Sequence, residues 1–277
     1  MLIDIMLIDT HAHLNFRAFK DDLDEVIKRG FNEGVWEINV GTKYETSKKA
    51  VEIAERYKEG VYAAVGLHPI HLRTDLIKIK MDPEEGGFTP NGEDFELTEY
   101  KKLAKSKKVV AIGEIGLDYY YRPKTKRKFE LFKEEQKKLL SHQLDLAKEL
   151  NLPVIFHCRM AHDDLLEILK NNQTQGVIHC FTGDWKQAKG YLNMGLYLGF
   201  NGIIYRLDLE EVIKKTPLDR VLIETDCPYL TPPQAGVERN EPVFVKYIAQ
   251  DIAKTRKLDF QKVAEITTQN AKKLFRI

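Results

Sequence analysis

The sequence predicts an α/β fold in which eight parallel strands close into a (β/α)8 TIM-type barrel. Apolar, β-branched runs alternate along the chain with longer stretches that have the apolar periodicity of amphipathic helices. Strands that are apolar along their whole length suit a parallel sheet covered on both faces. An open doubly wound sheet is the alternative, but no Gly-x-Gly-x-x-Gly follows the first strand and no Walker-type loop is present.

The individual elements follow from these two patterns in chain order. Predicted strands occupy residues 6–9, 35–40, 61–66, 109–113, 153–157, 176–180, 196–200 and 220–224. Helical patterns occupy residues 21–33, 44–57, 129–150, 163–170, 185–194 and 209–214, and two more lie within residues 242–274. With 277 residues and 43% hydrophobic content the chain can bury one large core, so we expect a single domain over residues 1–277.

Charge and cysteine content restrict the classes of function. Lys and Arg number 43 against 42 Asp and Glu, so any basic surface must be local rather than a property of the whole molecule. The three cysteines form no Cys-x-x-Cys pair, which argues against a disulfide scaffold and favours a reducing compartment. The amino-terminal segment has no signal pattern and no apolar run reaches membrane length. We therefore expect a cytoplasmic protein with no membrane contact and no obligate protein partner.

Residues that can bind metals stand at the ends of five predicted strands. The first strand ends in LIDTHAHL, where alternate residues of an extended chain point to the same side. The residues at these ends are His11 and His13, then Glu114, His157, His179 and Asp226. Because the carboxyl ends of parallel strands share one face of a barrel, the sequence predicts a site there for two divalent ions, with a bridging carboxylate and open positions for water and substrate.

Seven motifs, in this order, resemble those of the TatD family of metal-dependent deoxyribonucleases, which are amidohydrolase-like barrels. They are DTHAHL at Asp9, GLHP at Gly66, AIGEIGLDYY at Ala111, HCRMAHDDLLEIL at His157, IHCFTGD at Ile178, IETDCPYLTP at Ile223 and RNEPVFV at Arg239. The resemblance runs from Met6 to the carboxyl terminus. It implies that the six strand-end residues are the ligands of two metal ions. It also implies hydrolysis of DNA phosphodiesters, often as a 3′ exonuclease.

The chemistry of the residues supports phosphoester hydrolysis as well. Paired divalent cations stabilise the attacking and leaving oxygens and lower the pKa of bound water. We expect Glu114 to bridge the ions and Asp226 to act as general base. Related barrel hydrolases often use a modified lysine in place of Glu114, and the absence of lysine from VVAIGEIG favours a nuclease-type site. Mg²⁺ prefers oxygen ligands, whereas imidazole suits Mn²⁺ or Zn²⁺. The residues therefore leave Mg²⁺, Mn²⁺ and Zn²⁺ as candidate metal ions.

Four further residues are candidate substrate contacts. His68 and Arg159 are expected to reach a phosphate, with a loop histidine and a structural salt bridge as their alternatives. Tyr119 begins a tyrosine-rich, basic run that suits single-stranded DNA or a frayed end, although such a run is also typical of a solvated helix start. Asn240, in the RNEP motif, is interpreted chiefly as fixing the last loop, although the resemblance puts it near the substrate.

Two departures from the family pattern concern the surroundings of the site. Met160 stands where family members usually have an acidic residue, and the segment 75–99 looks longer than usual. That segment holds eight acidic residues and two lysines, and its Gly and Pro residues predict a loop on the face of the metals. Its charge either repels a polyanion or belongs to a solvated insertion.

Two other classes of function stay open at this level. A small-molecule amide, lactone or phosphoester hydrolase could use the same barrel, because a fold and its metals do not dictate the substrate. A non-catalytic binding barrel is the third possibility, and the complete ligand set argues against it.

Overall fold

The computed structural model describes residues 6–78, 82–86 and 92–277, and within them eight parallel strands form one sheet in chain order. The strands are β1 (Leu7–Ala12), β2 (Val35–Val40), β3 (Val61–Val65), β4 (Val109–Asp118), β5 (Val154–Arg159), β6 (Gly176–Ile178), β7 (Tyr197–Phe200) and β8 (Val221–Ile223). Each strand pairs in parallel with the next along the chain.

The sheet closes on itself just beyond β8. Ala12 of β1 forms a parallel bridge with Cys227. The amide of Asp226 donates to the carbonyl of His11 at 2.8 Å, and the amide of His13 donates to the carbonyl of Cys227 at 2.9 Å. Because these bonds join the segment after β8 to β1, the predicted (β/α)8 barrel is confirmed.

Helices connect the strands and cover the barrel. They are α1 (Leu23–Asn32), α2 (Tyr44–Glu55), α3 (Leu97–Leu103), α4 (Lys126–Leu150), α5 (His162–Lys170), α6 (Trp185–Asn193), α7 (Glu210–Lys215), α8 (Val245–Arg256) and α9 (Phe260–Phe275). The sequence analysis did not predict α3, because Tyr100 is its one buried residue and the apolar periodicity is therefore weak. Within the described part of the chain, no helix has the length and apolarity needed to cross a membrane.

The barrel interior is filled by apolar side chains and closed by the last helix. One buried cluster takes residues from all eight strands, including Ile8, Ile38, Ala64, Ala111, Ile155, Val177, Tyr197 and Leu222. Leu274 and Phe275 of α9 belong to the same cluster. The hydroxyl of Thr268 donates to the carbonyl of Met6 at 2.7 Å, and the side chain of Asn270 donates to the carbonyl of Val221 at 2.8 Å. Helix α9 therefore closes the amino end of the barrel, which leaves the carboxyl end for a site.

Strand β4 differs most from its prediction, which ended it at residue 113. All ten of its residues are buried, and Asp118 is still paired with Arg159 of β5. The side chain of Gln136 on α4 accepts from the amide of Asp118 at 2.8 Å and donates to its carbonyl at 2.9 Å. Helix α4 thus holds the outer half of β4 as a strand, and this half carries Glu114 and Asp118 into the mouth of the barrel.

Candidate metal centre

The carboxylate of Glu114 lies among imidazoles at the carboxyl ends of the strands, and three of these rings are those of His11, His157 and His179. Its Oε2 lies 3.5 Å from Nε2 of His11. Its Oε1 lies 2.7 Å from Nδ1 of His157 and 3.1 Å from Nε2 of His179. The ends of β1, β5 and β6 each supply one of these rings, so a single carboxylate is in contact with three separate strands.

A second carboxylate, that of Asp226, lies on the β1 side of the cluster. Its Oδ1 is 3.3 Å from Nε2 of His13 and 3.8 Å from Nε2 of His11. The two Nε2 atoms of His11 and His13 are 3.1 Å apart, and the ring of His11 stacks on that of His179 at 3.7 Å. The structure therefore brings together all six residues that the sequence placed at strand ends.

Strand alternation aims these side chains into the mouth. His157 follows the interior residue Ile155 by two positions, and His179 follows Val177 in the same way. In β1 a regular alternation from Ile8 would turn His11 outward. The register of β1 against β2 shifts between Asp9 and Ala12, and such an irregularity re-aims the side chains beyond it.

Hydrogen bonds on the far side of two rings set which nitrogen faces the centre. Nδ1 of His13 donates to the carbonyl of Val40 at 2.8 Å, and Nδ1 of His179 donates to Oε1 of Glu224 at 3.0 Å. In the neutral imidazoles the lone pair is then on Nε2, which points into the cluster. This arrangement is typical of histidines that ligate a metal.

His157 and His68 complete the cluster, with different chemistry. Nε2 of His157 lies 3.0 Å from Oδ2 of Asp118, which leaves its Nδ1 for the Glu114 side. Nδ1 of His68 accepts from the amide of Ile70 at 3.1 Å, and its Nε2 lies 3.4 Å from Oε1 of Glu114. Neutral His68 thus carries its proton on Nε2 and acts there as a donor, which suits contact with an anion better than ligation of a cation.

The donor atoms fit a divalent metal ion. In each of four sets of three residues the ligand atoms lie within 4.8 Å of one another, and coordination bonds of about 2.0–2.3 Å allow such separations. The sets are His11, His13 and Glu114; Glu114, His157 and His179; His11, His179 and Asp226; and His68, Asp118 and His157. In the described residues Nδ1 of His11 is buried without a hydrogen-bond partner, so nothing there fixes the proton of this ring. Imidazole and carboxylate together suit Zn²⁺ or Mn²⁺ and admit Mg²⁺.

Burial opposes charge throughout the cluster, but the carboxylates stay ionised. Burial raises the pKa of Glu114, yet the neighbouring histidines, His68 and His179 first, outweigh it and hold this pKa well below its usual range. For Asp226 burial is outweighed in the same way, chiefly by His13, and its pKa is lowered. Burial and then His179 lower the pKa of His11. Burial lowers the pKa values of His13, His157 and His179, but the carboxylates around them outweigh it and raise these values, to about 9 for His157. The centre therefore presents negative charge to a cation, and binding of a cation would release protons from these rings.

Two contact residues were missed by the sequence analysis. Asp118 reaches Nε2 of His157, and Glu224 accepts from Nδ1 of His179 and from the amide of Cys180 at 2.7 Å. Asp118 lies four residues after Glu114 in one strand, and Glu224 lies two residues before Asp226. Even spacing along an extended chain puts such pairs on the same side, so this parity was the available signal.

Two of the predicted substrate contacts lie in the core instead. Tyr119 is 5% exposed and its hydroxyl donates to Oδ2 of Asp164 at 2.8 Å, so its ring offers no free face to a base. Asn240 is fully buried, and its side chain donates to the carbonyls of Thr225 and Tyr229 at 3.0 and 2.7 Å. We therefore correct the assignment of Tyr119, which packs the fold. For Asn240 the contacts support the interpretation that it fixes the last loop, and not the substrate contact.

The exposed aromatic surface lies one residue further along, after β4 and β5. The guanidinium of Arg159 lies 3.6 Å above the ring of Tyr120, whose ring meets that of Tyr121 edge-on at 5.0 Å. Tyr120 is 51% exposed and Met160 is 62% exposed. Among the described residues no carboxylate pairs with Arg159, so the predicted alternative of a structural salt bridge is not the state of this side chain. We call Tyr120, Tyr121, Arg159 and Met160 the aromatic rim.

A surface cleft of about 1060 Å³ lies elsewhere, at the amino end of the barrel. Asn151, Asn172, Met194 and Arg276 are among its lining residues, and no residue of the metal cluster is. In barrels of this class the chemistry is at the carboxyl face, so the volume of this cleft does not make it the active site.

An eight-stranded barrel with clustered His, Asp and Glu at the carboxyl ends of its strands has the architecture of a metal-dependent hydrolase. The family comparison is consistent with that class. Residues 8–276 match the family model described as TatD related DNase. The chain therefore belongs to this family of metal-dependent hydrolases, as the motifs predicted.

Individual relatives cover the whole chain. The metal-dependent hydrolase YabD of Bacillus subtilis is 42% identical over 279 residues, which span 98% of this chain and all of that protein. The 3′-5′ ssDNA/RNA exonuclease TatD of Salmonella typhimurium is 32% identical over 98% of this chain and 99% of its own length. Among solved structures, the TatD homologue YjjV of Escherichia coli K12 superposes with a TM-score of 0.83 at 30% identity, covering 99% of this chain and all of that one.

Proposed function

We propose that this chain hydrolyses phosphodiester bonds of DNA at a two-metal site, removing nucleotides from the 3′ end of a single strand or a frayed end. The position of Glu114 is the observation that carries this proposal. Its two oxygens face different ligand sets, Oε2 the set of His11 and His13, and Oε1 the set of His157 and His179. A carboxylate shared by two sets is suited to bridge two ions.

The residues of the chain would hold the ions and place the substrate between them. When bound, the ions would neutralise charge on the phosphoryl oxygens and lower the pKa of a water molecule. Two imidazoles lie on each side of Glu114, so each end of the site offers nitrogen as well as oxygen donors. His11, His13, His157 and His179 are the proposed imidazole ligands, with Glu114 and Asp226 as the acidic ones.

Asp226 is the proposed general base. Its side chain is 17% exposed, whereas that of Glu114 is 5% exposed, so Asp226 is the carboxylate more open to the mouth. Burial raises its pKa, but contacts with His13, and with His179 and His11 after it, lower the pKa overall and keep Oδ1 able to accept a proton. His68, whose Nε2–H points to Glu114, is placed to donate to an oxygen of the scissile phosphate.

The aromatic rim is the proposed entry for the nucleic acid. Arg159 offers a planar cation to a phosphate, and Tyr120 offers an exposed ring to a base. The basic run that follows, from Arg122 to Lys128, leads into the first turn of helix α4. The names of the relatives support a nucleic-acid substrate, since the Salmonella protein is named a 3′-5′ ssDNA/RNA exonuclease.

The test combines metal analysis with a substrate comparison. Chelator-treated protein, reloaded with Mg²⁺, Mn²⁺ or Zn²⁺, is given single-stranded DNA labelled at the 5′ or the 3′ end, and in parallel a panel of small esters, lactones and amides. We expect metal-dependent shortening of 5′-labelled DNA from its 3′ end, with a ladder of products. Turnover of the small substrates with intact DNA would instead establish the small-molecule hydrolase, and binding of about one ion per chain would contradict the two-metal site.

A further inference from the structure

Residues 82–86, one described part of the acidic segment, lie across the loops on one side of the barrel mouth. We call these residues the strap. Its main chain is bonded to the loop after β1: the amide of Arg17 donates to the carbonyl of Glu85 at 3.2 Å, and the amide of Ala18 donates to that of Glu84 at 3.0 Å. The strap therefore lies on the carboxyl face, as the sequence predicts.

Glu85 fastens the strap to the loops after β2 and β3. Its side chain is 5% exposed, accepts from the hydroxyl of Thr42 at 2.5 Å, and lies 2.9 Å from Nε2 of His71. Lys43 lies 3.6 Å from the same carboxylate and donates to the carbonyl of Gly86 at 3.0 Å. Burial opposes ionisation, but His71, then Lys43 and Thr42, outweigh it and lower the pKa of Glu85 to about 2. Because it is buried and has three partners, the carboxylate of Glu85 is a structural contact and not a solvated charge.

Asp82 fastens the strap to the loop after β8. The hydroxyl of Tyr229 donates to Oδ2 of Asp82 at 2.8 Å. The ring of Tyr229 lies 6.4 Å from that of Phe16, which stacks at 4.3 Å on the ring of His13. The strap is thus connected, through two aromatic contacts, to a proposed metal ligand.

The two sides of the mouth are therefore different. On the side of β8, β1, β2 and β3 the loops are joined by the strap, whose Glu84 side chain is exposed and acidic. On the side of β4 and β5 the aromatic rim is exposed, with the cation of Arg159. The exposed cation and rings of the second side favour the entry of a polyanion there, whereas on the first side the strap covers the loops.

We propose that the strap is a wall that ends the nucleic-acid path at the metal centre and so restricts hydrolysis to the ends of strands. This inference rests on the proposed nuclease function. To be cut internally, a strand must leave the centre on the side opposite its entry, and there it meets the strap. A strand end needs no such exit. The strap would then select ends by geometry, without any contact that reads a terminus.

The experiment compares linear and covalently closed circular single-stranded DNA of the same sequence. The test variant is Glu85→Ala, which removes all three side-chain contacts of Glu85. The matched control is Glu84→Ala, which removes a neighbouring carboxylate that is exposed. We expect wild type and the control to degrade linear DNA and leave circles intact. We expect Glu85→Ala to open circles at least about tenfold faster, with its rate on linear DNA little changed.

A second variant covers the case in which the strap stays in place in Glu85→Ala. It replaces residues 82–86 by a Gly-Ser linker of equal length, and hydrogen exchange in that region reports whether the strap is released. The inference would be overturned if circular DNA stays intact with a folded variant whose strap is released. It would also be overturned if the wild-type protein opens circles as fast as it degrades linear DNA. Wild type that leaves linear DNA intact would instead overturn the proposed function itself.

Discussion

Glu114 contacts more histidine side chains than any other carboxylate of the described cluster. It is buried, lies within 3.5 Å of four histidine side chains, and is held ionised by them against the cost of burial. Burying one carboxylate with four imidazoles costs free energy. In a core that binds no metal, apolar side chains of similar volume would be more stabilising. The surroundings of Glu114 are explained if the group binds cations.

Glu114→Gln should abolish hydrolysis and leave the fold intact. The amide keeps the size of the side chain but cannot bridge two cations, so a loss on the order of a thousandfold or more is expected. Glu167→Gln, the same change at an exposed position of α5, serves as the control. Turnover near the wild-type rate by folded, metal-loaded Glu114→Gln would contradict the central role of this residue.

Glu37 shows the opposite behaviour, because no cationic side chain of the described residues pairs with it. It is 1% exposed, and among the described residues neither of its carboxylate oxygens has a hydrogen-bond partner. Burial, and after it the charge of Asp9, raises its pKa well above the usual 4.5. Since the folded-state pKa exceeds the unfolded one, the unfolded chain loses this proton first as the pH rises. The free energy of unfolding therefore falls from about pH 4.5 upward, until the folded-state pKa is passed.

Glu37→Gln should consequently remove part of the pH dependence of stability. Its free energy of unfolding, relative to wild type, should increase with pH by up to about 1.4 kcal/mol per unit. Denaturant unfolding between about pH 5 and pH 8 measures this difference, with Glu25→Gln on the surface of α1 as the control. A constant difference between Glu37→Gln and wild type over that range would show that Glu37 is ionised in the fold.

At the scale of elements, the outer halves of β4 and β5 determine which side chains are exposed at the mouth of the barrel. Pairing of Asp118 with Arg159 keeps both strands extended past the barrel interior. Consecutive residues then face opposite ways, so Tyr119 enters the core while Tyr120 stays exposed beneath Arg159. A single step along the chain separates a packing residue from a candidate substrate contact.

Tyr120→Ala should weaken binding of single-stranded DNA with little effect on stability, because the side chain is half exposed. Loss of base stacking is worth roughly 1–3 kcal/mol, so KM should rise by about five- to a hundredfold while kcat changes less. Tyr120→Phe keeps the ring and should behave as wild type. Equal KM values for Tyr120→Ala and Tyr120→Phe would remove Tyr120 from the substrate path.

At the scale of the whole molecule, the barrel is closed at one end by α9 and open at the other, where distant segments meet. Residues from position 11 to position 226 contribute to one cluster, so the geometry of the centre depends on the closure of the whole sheet. Binding of metal to this cluster should in turn stabilise the closed barrel, since the unfolded chain has no such arrangement.

Removal of metal should therefore lower both activity and thermal stability. At about a hundredfold excess over Kd a bound ion adds about 2.7 kcal/mol, or roughly 5–10 °C in Tm for a chain of this size. We expect Mn²⁺ to restore activity at least as well as Mg²⁺, because four of the six proposed ligands are imidazoles. The Tm increase should be reduced in Glu114→Gln. Activity that survives exhaustive chelation would contradict the metal mechanism.

The sequence by itself determined the barrel and the convergence of six polar residues at its mouth. Both depend on local patterns: apolar runs of strand length, helical periodicity between them, and a ligand-type residue at the end of a strand. His157 and His179 were predictable because alternation within one strand needs no knowledge of its neighbours. The family followed from motifs of the same local kind.

Only the tertiary structure decided which other groups reach the centre and which sides of the mouth are open. Asp118 and Glu224 join the cluster because the register between strands aligns them with histidines far away in sequence. Tyr119 does not reach the predicted site because Asp164 of α5 offers its hydroxyl a partner, and Asn240 fixes the last loop through its bond to the carbonyl of Thr225. The strap acquired its place from Thr42, His71 and Tyr229, which belong to three different loops. Such contacts depend on packing between elements remote in the chain. A pattern within a single element can indicate which side a residue faces, but not which partner it meets.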